Sequence, residues 1–510
     1  MKKTFFYHLF FITIFVSTFF IRLLLIKNSN LAFTSDQARD MIAIRAIVHH
    51  FDLPLIGPIT GIPGLYLGPF WFFFNIIPFV VSGGHPASLV IWQILWLHLS
   101  TTVLYFYFYK KNPVFALLSA SLYLLSPFAF YTSRYSFNPH LLPAFTIFFF
   151  ILLDSLLSAP AKGKKHSSAD RVWKKTFLLG LLIGLSLQLE AATAIVFIPI
   201  TVIFLLKNKP NLILAFIALF GTLLPQIIFE FRHHFIMTKV VIDQFTGKND
   251  VIQNTLGFND LIIDRFNSLR QIFTGTLPLP YFLTIILIIT AIYQSKTKDL
   301  LKSKVFTSAS FLVLIFFYLL FFLYPHPIKS WYLYPLSLPI IFLISTKLSK
   351  IPQLALIFLL LILPLSLSRQ YQAYQISQNN PSLDPSNLNN RLQTIDKVYE
   401  LADGQGFAIY NYLPSIYDYP YQYLFWWRGK KYNYHPEKIT YQDNVPEYIP
   451  NNNSFLILKK PAQTTFLIIE EPESKSAKSW LEQFNLCQIN ESVLAWDTKI
   501  IQSTCSPSAL

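Results

Sequence analysis

The chain contains many apolar runs long enough to cross a membrane, and this feature restricts its fold more than any other. A membrane-spanning helix needs ~20 apolar residues, and only helices or closed barrels satisfy their backbone polar groups in lipid. Hydrophobic residues make up 53% of the 510 residues and charged residues only 13%. The sequence therefore predicts a polytopic α-helical membrane protein. The predicted spans are eleven: 5–26, 87–109, 113–131, 141–157, 176–189, 191–206, 212–231, 277–293, 305–324, 331–345 and 351–367.

A twelfth apolar run, 64–81, decides the predicted topology. Lys and Arg are enriched in cytoplasmic loops, and a cytoplasmic N-terminus follows from Lys2 and Lys3. The later basic clusters are all cytoplasmic only if 64–81 does not cross the membrane. Its Pro and Gly content also suits a broken segment in the interface. We therefore expect a cell-membrane protein with an external C-terminus, and we interpret the net charge of +15 as a topology signal, not a nucleic-acid surface.

The composition changes after residue 369, where a segment rich in Asn, Ser, Gln and Pro begins. Short strand-like runs follow at 406–412, 454–458 and 465–469, with helical patterns at 391–401 and 477–484. The sequence predicts two domains, a transmembrane domain over 1–369 and a small external α/β domain over 370–510. Cys487 and Cys505 lie in this second domain and could form a disulfide if it is outside the cell.

The first external loop, 27–86, carries charge directly after the first span. Asp36, Arg39 and Asp40 lie beside the hydrocarbon layer, where charged side chains are expensive and usually functional. The segment 37–50 predicts an amphipathic helix in the membrane interface, with Met41, Ile44, Ile47 and Val48 on one face and the charges elsewhere. The alternative for Asp36 is a helix N-cap.

Further polar residues cluster in three later external segments, 133–140, 188–190 and 326–332. Bland explanations exist for several of them, since Arg134 and Lys329 could snorkel to headgroups and His326 could be an ordinary interfacial residue. The adjacent His233 and His234 are weak evidence for a metal. Glu190 is harder to dismiss, because burial at a tight turn without a partner is costly. The substrate-binding candidates are Arg39, Arg134, Asn138, His326, Lys329 and Tyr332.

The sequence lacks a nucleotide-binding motif of the GxxxxGK[ST] or GxGxxG type, and it lacks HExxH and CxxC. It therefore excludes an ATP-driven pump that uses its own nucleotide site. An enzyme acting on the external side must take its driving force from an activated substrate that is available there.

Three segments resemble a known family. Asp36 stands where the family has its first external acidic residue, GIPGLYLGPFWFFF from Gly61 stands where it has an HPPL-like stretch, and SRYSFNPHLLP from Ser133 resembles its second external motif. Together they resemble the polyprenyl-phosphate-sugar-dependent membrane glycosyltransferases of GT-C fold, the protein O-mannosyltransferase and aminoarabinose-transferase-like (glycosyltransferase family 39-like) group. Gln37 replaces the family's common Glu, and no His precedes the prolines of the second segment.

The resemblance implies a GT-C bundle of about eleven spans, with interfacial helices in the first external loop and a small external domain. It implies transfer of a sugar from a polyprenyl phosphate to a hydroxyl of a lipid, glycan or protein, with inversion. Asp36 would be the general base, worth roughly 10²–10⁴ in rate, with Asp40 and Glu190 as further catalytic candidates. Arg39, Arg134 and Lys329 would stabilise the phosphate charge. A divalent metal is an option without assigned ligands.

Two other classes of protein remain as alternatives. A transporter or flippase for lipid-linked substrates would favour charges within spans and inverted repeats, of which the sequence has few or none. A non-catalytic membrane scaffold with an external binding domain would leave the acidic first loop unexplained. In every case membrane lipids are partners and nucleic acid is not.

Overall fold

The computed structural model describes residues 2–157, 165–206, 209–246, 255–293, 305–379, 384–415, 417–439 and 460–504. These residues form a mostly helical protein with one small sheet, which confirms the predicted fold class. The helices are α1 (Lys2–Leu25), α2 (Ser35–His50), α3 (Phe70–Phe74), α4 (Ile76–Val81), α5 (Ser88–Tyr109), α6 (Pro113–Leu124), α7 (Pro127–Thr132), α8 (Asn138–Leu157), α9 (Lys165–Leu189), α10 (Ala191–Ala194), α11 (Phe197–Leu205), α12 (Lys209–Arg232), α13 (Ile236–Thr246), α14 (Phe258–Thr276), α15 (Tyr281–Tyr293), α16 (Val305–Phe322), α17 (Ser330–Leu333), α18 (Ser337–Leu348), α19 (Pro352–Asn379), α20 (Leu388–Ala402), α21 (Tyr419–Tyr432) and α22 (Lys475–Leu481).

Seven helices of the described part are long and apolar enough to cross a membrane, so the chain is a multi-pass membrane protein. They are Phe5–Leu25, Ser88–Tyr109, Asn138–Leu157, Val172–Leu189, Asn211–Arg232, Ser330–Leu348 and Pro352–Gln378. Shorter apolar helices occupy Phe70–Val81, Pro113–Leu124, Ala191–Leu205 and Phe306–Phe322. Several of the predicted spans are thus helices of only 10–17 residues.

The chain divides into two compact units. We call the first the helical unit; it comprises Met1–Leu23, Pro54–Trp71 and Trp92–Gln372. The second, the mixed unit, comprises Leu24–Leu53, Phe72–Ile91 and Ala373–Leu510. Both units are discontinuous in sequence, whereas the predicted domains, 1–369 and 370–510, are each continuous. Helix α2 therefore belongs to the same compact unit as the C-terminal sheet.

Helices α9 and α12 of the helical unit approach each other closely at two glycines. A Cβ on Gly180 would lie 2.1 Å from the carbonyl oxygen of Ala215, and one on Gly184 would lie 1.9 Å from Thr222 Oγ1. Small residues four apart permit such close contact between membrane helices, where van der Waals packing replaces the hydrophobic effect.

The broken apolar segment that follows α2 begins as a tight hairpin in the helical unit. Gly57 N donates to Leu67 O at 2.7 Å and Leu67 N donates to Pro58 O at 2.9 Å. Gly64 turns the chain with a φ of +81°, which favours glycine. A Cβ on Gly57 would lie 1.9 Å from Gly68 O. The remainder of the segment forms two short helices, α3 and α4.

The described residues of segment 232–276 are largely helical. They contain α13 and α14. Helix α14 buries Arg265, Ser268 and Ile272 and leaves Phe258, Ile262 and Phe266 exposed.

Helix α2 is buried on almost every side, so the predicted amphipathic division into an apolar face and a charged face was wrong. All residues from Gln37 to Ile47 are buried, including Arg39, Asp40 and Arg45. Ion pairing and contact with aromatic rings make this burial tolerable, because the charges keep partners inside the mixed unit.

The mixed unit contains a five-stranded sheet of order β2-β1-β3-β5-β4. Its strands are β1 (Phe407–Tyr412), β2 (Lys438–Ile439), β3 (Thr464–Glu470), β4 (Gln488–Ala495) and β5 (Thr498–Thr504). Strand β1 is parallel to β2 and β3, whereas β5 is antiparallel to both β3 and β4. Alternate residues of β1 pack to opposite sides: Tyr410 joins a cluster with Ala477 of α22, and Phe407 contacts Tyr399 of α20 and Phe425 of α21.

The predicted strands 406–412 and 465–469 correspond to β1 and β3, and the predicted helices correspond to α20 and α22. Sequence reasoning missed α21 and the hairpin of β4 and β5. The predicted strand 454–458 and Cys505 lie outside the described residues. Cys487 is disulfide-bonded.

Candidate active site

Residues Thr34 and Gln37 cap the first turn of α2 and leave Asp36 free of that role. They form a capping box, in which the backbone N–H of Thr34 donates to Gln37 Oε1 at 3.1 Å. Thr34, not Asp36, is the N-cap residue. The Gln at position 37 therefore has a local structural function.

A buried arginine links two carboxylates of different exposure at this helix end. Arg39 Nη1 donates to Asp36 Oδ1 at 2.9 Å, and Arg39 Nη2 donates to Asp40 Oδ1 at 2.8 Å. The side chain of Asp36 is 51% exposed, whereas those of Arg39 and Asp40 are 6% and 2% exposed. Asp36 can therefore meet a substrate as the structure stands. Asp40 is placed to orient Arg39, and it does not reach the surface.

The chain leading into this helix is held by the C-terminal part of the mixed unit. Phe33 N donates to Ser386 O at 2.9 Å, and the guanidinium of Arg391 donates to Phe33 O. Arg391 also pairs with Glu470 of β3 through two bonds of 2.8 and 2.9 Å. Tyr421 donates its hydroxyl to the same carboxylate at 3.1 Å. Sequence reasoning missed this network, because its other members all lie more than 350 residues from Phe33 in the sequence.

The three later polar segments of the sequence meet one another within the helical unit. Asn138 Nδ2 donates to the Leu189 carbonyl at 2.6 Å, which joins the start of α8 to the end of α9. The rings of Phe137 and Trp331 pack edge to face with their centroids 5.6 Å apart. Thr193 donates its hydroxyl to the Tyr332 carbonyl at 2.9 Å. Segments 133–140, 188–190 and 326–332 therefore lie together in one part of the helical unit.

Glu190 belongs to one of these segments and lies in the turn between α9 and α10. It is buried, and its Oε1 accepts the Ala192 N–H at 3.2 Å as the N-cap of α10. Burial raises the pKa of Glu190 to about 8. At neutral pH the carboxyl group is therefore mostly protonated, and in this form Glu190 can donate a hydrogen bond.

Gln188, the neighbouring polar residue, fixes the chain at the end of the hairpin 57–68 within the helical unit. Its Oε1 accepts the Phe70 N–H at 3.1 Å, and its Nε2 donates to Thr222 O at 2.6 Å. A Cβ on Gly68 would lie 2.3 Å from the Gln188 side chain. This contact explains why the chain has a glycine at position 68.

Arg134 and Lys329 differ in environment. Arg134 is half-buried, its guanidinium carbon lies 5.3 Å from the Phe130 ring centroid, and burial lowers its pKa. Lys329 is exposed at the start of α17. Neither forms an ion pair with a carboxylate among the residues that the structure describes. Among the described residues, no carboxylate therefore competes with an anionic ligand for either side chain.

The turn that carries His326 and Lys329 is anchored on α14 by residues that the sequence analysis did not select. Arg265 Nη2 donates to the His326 carbonyl at 3.1 Å, and Asp264 Oδ2 accepts the Ile328 N–H at 3.1 Å. His326 itself is buried, with its ring 5.1 Å from that of Tyr324. The Arg265 side chain therefore holds the backbone of the turn that carries His326 and Lys329.

A cavity of about 460 Å³ opens in the helical unit beside segment 188–190. It lies between the hairpin 57–68, the junction of α9 with α10, and the connection from α12 to α13. Its lining is mostly apolar, and its polar members are Thr60, Tyr66, Gln226, Glu230 and Thr238. Glu230 accepts the backbone N–H groups of Met237 and Thr238, both at 2.9 Å, so it caps α13.

The described residues contain no group of three or more His, Cys, Asp and Glu side chains placed to hold a metal ion. His233, one of the two adjacent histidines, bonds through Nδ1 to the carbonyl of Phe229 at 2.8 Å.

The helical bundle with short apolar helices and an attached small sheet has the GT-C fold. Among solved structures, ArnT from Cupriavidus metallidurans in the apo state shares it with a TM-score of 0.62 and 11% sequence identity over 98% of both chains. ArnT from the same organism bound to undecaprenyl phosphate gives 0.58 and 12% over 96% of this chain and 97% of that one. At this identity the likeness establishes the fold. No protein-family model and no curated protein sequence matches the chain.

Proposed function

We propose that this protein is an integral membrane glycosyltransferase that moves a sugar from a polyprenyl phosphate to a hydroxyl acceptor on the external side of the membrane. The observation that carries the proposal is the whole-length likeness in fold to a protein that has been solved with undecaprenyl phosphate. The charged end of α2 supports it, because a half-exposed carboxylate beside a buried guanidinium suits transfer from a phosphate leaving group.

In the proposed reaction the acceptor oxygen attacks the anomeric carbon of the sugar. The bond from that carbon to the phosphate oxygen breaks, and polyprenyl phosphate leaves with the electron pair. Asp36 accepts the proton of the acceptor hydroxyl, and attack opposite to the leaving group inverts the anomeric centre. Asp40 keeps Arg39 oriented, so that the guanidinium stays beside Asp36.

The phosphate group needs cations near the membrane surface, and we assign this role to Arg134 and Lys329. Arg39 contributes a third positive charge, and Tyr332 and His326 shape the adjoining surface. Asn138 acts indirectly through its bond to Leu189 O, which fixes the turn of Glu190. A neutral Glu190 is suited to hydrogen bonding with a ligand.

We assign the N-terminus to the cytoplasm and the C-terminal part to the external side, at the cell membrane. The positions of the basic clusters support this orientation. The disulfide at Cys487 is in keeping with it, because disulfides persist in oxidising compartments.

The test is sugar transfer by the purified full-length protein in proteoliposomes. Undecaprenyl phosphate carrying a radiolabelled hexose or pentose is supplied with a panel of lipid and glycan hydroxyl acceptors. The proposal predicts time-dependent label in an acceptor and equal release of undecaprenyl phosphate. If the labelled lipid only changes leaflet without cleavage, the protein is a flippase and the proposal fails.

A further inference from the structure

Several cationic groups surround Trp426 of α21 in the mixed unit, and the proposed reaction uses none of them. The guanidinium carbon of Arg45 lies 5.0 Å from the Trp426 ring centroid, and Lys430 Nζ lies 4.0 Å from it. The His49 ring packs edge to face against the same indole, with the centroids 5.8 Å apart. One aromatic ring thus faces two permanent cations and a histidine.

The charges that act on this cluster have the same sign. Burial lowers the pKa of Lys430, His49 and His435, and the charge of Arg45 lowers each of them further. The neighbouring carboxylate of Asp396 is already engaged, because it pairs with Arg428 and lies 3.8 Å from Lys431. An additional anion beside Lys430 would therefore offset repulsion that the folded chain otherwise retains.

Lys430 can reach such an anion. Its side chain is exposed, and besides the indole it contacts the Gly83 carbonyl through a long bond of 3.4 Å. Gly83 is exposed in the turn after α4 and has a φ of +63°. The ammonium group is held at the edge of the cluster by the ring and by a backbone oxygen, with hydrogens left for a ligand.

The neighbouring helix α4 gives this cationic edge an apolar border. Phe79 of α4 stacks on Trp426 with centroids 6.3 Å apart, while Ile77, Val80 and Val81 are 57%, 56% and 83% exposed. Only residues 82–87 separate α4 from Ser88, where a helix long and apolar enough to cross a membrane begins. The patch therefore lies within a few residues of the point at which the chain enters lipid.

We propose that Lys430, Trp426 and the exposed side of α4 form a binding site for the headgroup of an anionic phospholipid. The ammonium group of Lys430 binds the phosphate diester, the buried ring of Trp426 supports that ammonium group, and the apolar residues of α4 contact the acyl region. Arg45 strengthens the positive potential behind the lysine. This site is distinct from the proposed transfer reaction and does not depend on it.

The experiment uses native mass spectrometry of the full-length protein released from nanodiscs. The nanodiscs contain either phosphatidylcholine alone or a mixture with phosphatidylglycerol, and bound lipid is counted for wild type, Lys430→Gln, Lys430→Arg and Lys460→Gln. Lys460 is the matched control, because its Nζ lies 4.3 Å from the Tyr434 ring centroid and also bonds to a backbone carbonyl, that of Gly404. The melting temperature of each variant checks that it is folded.

We expect Lys430→Gln to lower phosphatidylglycerol occupancy about fivefold, the effect of one cation near an anionic membrane surface. Lys430→Arg and Lys460→Gln should retain it. The proposal is overturned if wild type and Lys430→Gln retain equal amounts of phosphatidylglycerol. It is also overturned if wild type retains phosphatidylcholine as well as phosphatidylglycerol, because the lipid would then be held by apolar contacts alone. Displacement of the lipid by millimolar inorganic phosphate would also overturn it, because the site would then be one for a small anion.

Discussion

Arg391 pairs with Glu470 in two parallel hydrogen bonds of 2.8 and 2.9 Å, with both side chains less than 5% exposed. The same guanidinium donates to the carbonyl of Phe33, three residues before Asp36. Strand β3 thus fixes the chain that leads into the charged end of α2. This relationship suggests a role for the C-terminal part of the protein, namely to position the candidate base.

Removing one member of this pair should be far more harmful than removing an exposed pair. Arg391→Met leaves Glu470 buried without its cation, so we expect a loss of about 3–5 kcal/mol in the free energy of unfolding. Lys397→Met is the control, because Lys397 forms an exposed pair with Glu400 and should cost less than ~1 kcal/mol. Denaturant titration of both variants measures the difference. Similar losses would contradict the assignment.

The close contact between α9 and α12 can be tested with one substitution at two glycines. Gly180→Ala places a methyl group 2.1 Å from a backbone oxygen, which cannot rotate away, and should cost about 1–3 kcal/mol in stability. Gly221→Ala in α12 meets no atom within 4 Å and should be neutral or slightly stabilising. Melting temperatures in one detergent provide the comparison. A harmless Gly180→Ala would show that the helices are farther apart.

The buried Glu190 should make stability depend on pH. Its pKa in the folded protein, about 8, lies above the ordinary 4.5, so between these values the folded state keeps a proton that the unfolded chain loses. Stability must therefore fall as pH rises through this interval. Glu190→Gln cannot ionise, so its advantage over wild type should be greater at about pH 9 than at about pH 5. If the difference in stability between Glu190→Gln and wild type is the same at both pH values, Glu190 is ionised in the folded protein at the lower pH as well, and its pKa is not raised.

Arg134 and Lys329 should differ in their effect on donor use. Arg134→Gln removes a half-buried cation. If its contact with phosphate is desolvated, we expect kcat/KM for the lipid donor to fall by an amount equivalent to about 2–5 kcal/mol of transition-state stabilisation. Lys329→Gln removes an exposed one, for which the loss should be less than ~1 kcal/mol. The KM for the acceptor should change little in either. If Arg134→Gln affects acceptor and donor equally, it is not a phosphate ligand.

The membrane bundle, α2 and strands β1 and β3 could be predicted from the sequence, because length, apolar content and local periodicity specify them. Helix α21 could not, since YPYQYLFWWRGKKY is aromatic on every face and has no helical periodicity. The burial of Arg45 depends on Trp426, a contact that no local pattern encodes. The acidic pair after the first span was recognised, but the difference in exposure between Asp36 and Asp40 arises only from the packing of α2.

The central claim is that Asp36 is the base of a sugar transfer, and Asp36→Asn tests it most directly. Asparagine keeps the size of the side chain but cannot accept the proton, and Thr34 and Gln37 still cap the helix. In the proteoliposome assay we expect product formation to fall about 10²–10⁴-fold with unchanged melting temperature and donor binding. Asp52→Asn, at an exposed aspartate after the same helix, should retain full activity. Near wild-type turnover by Asp36→Asn would contradict the account.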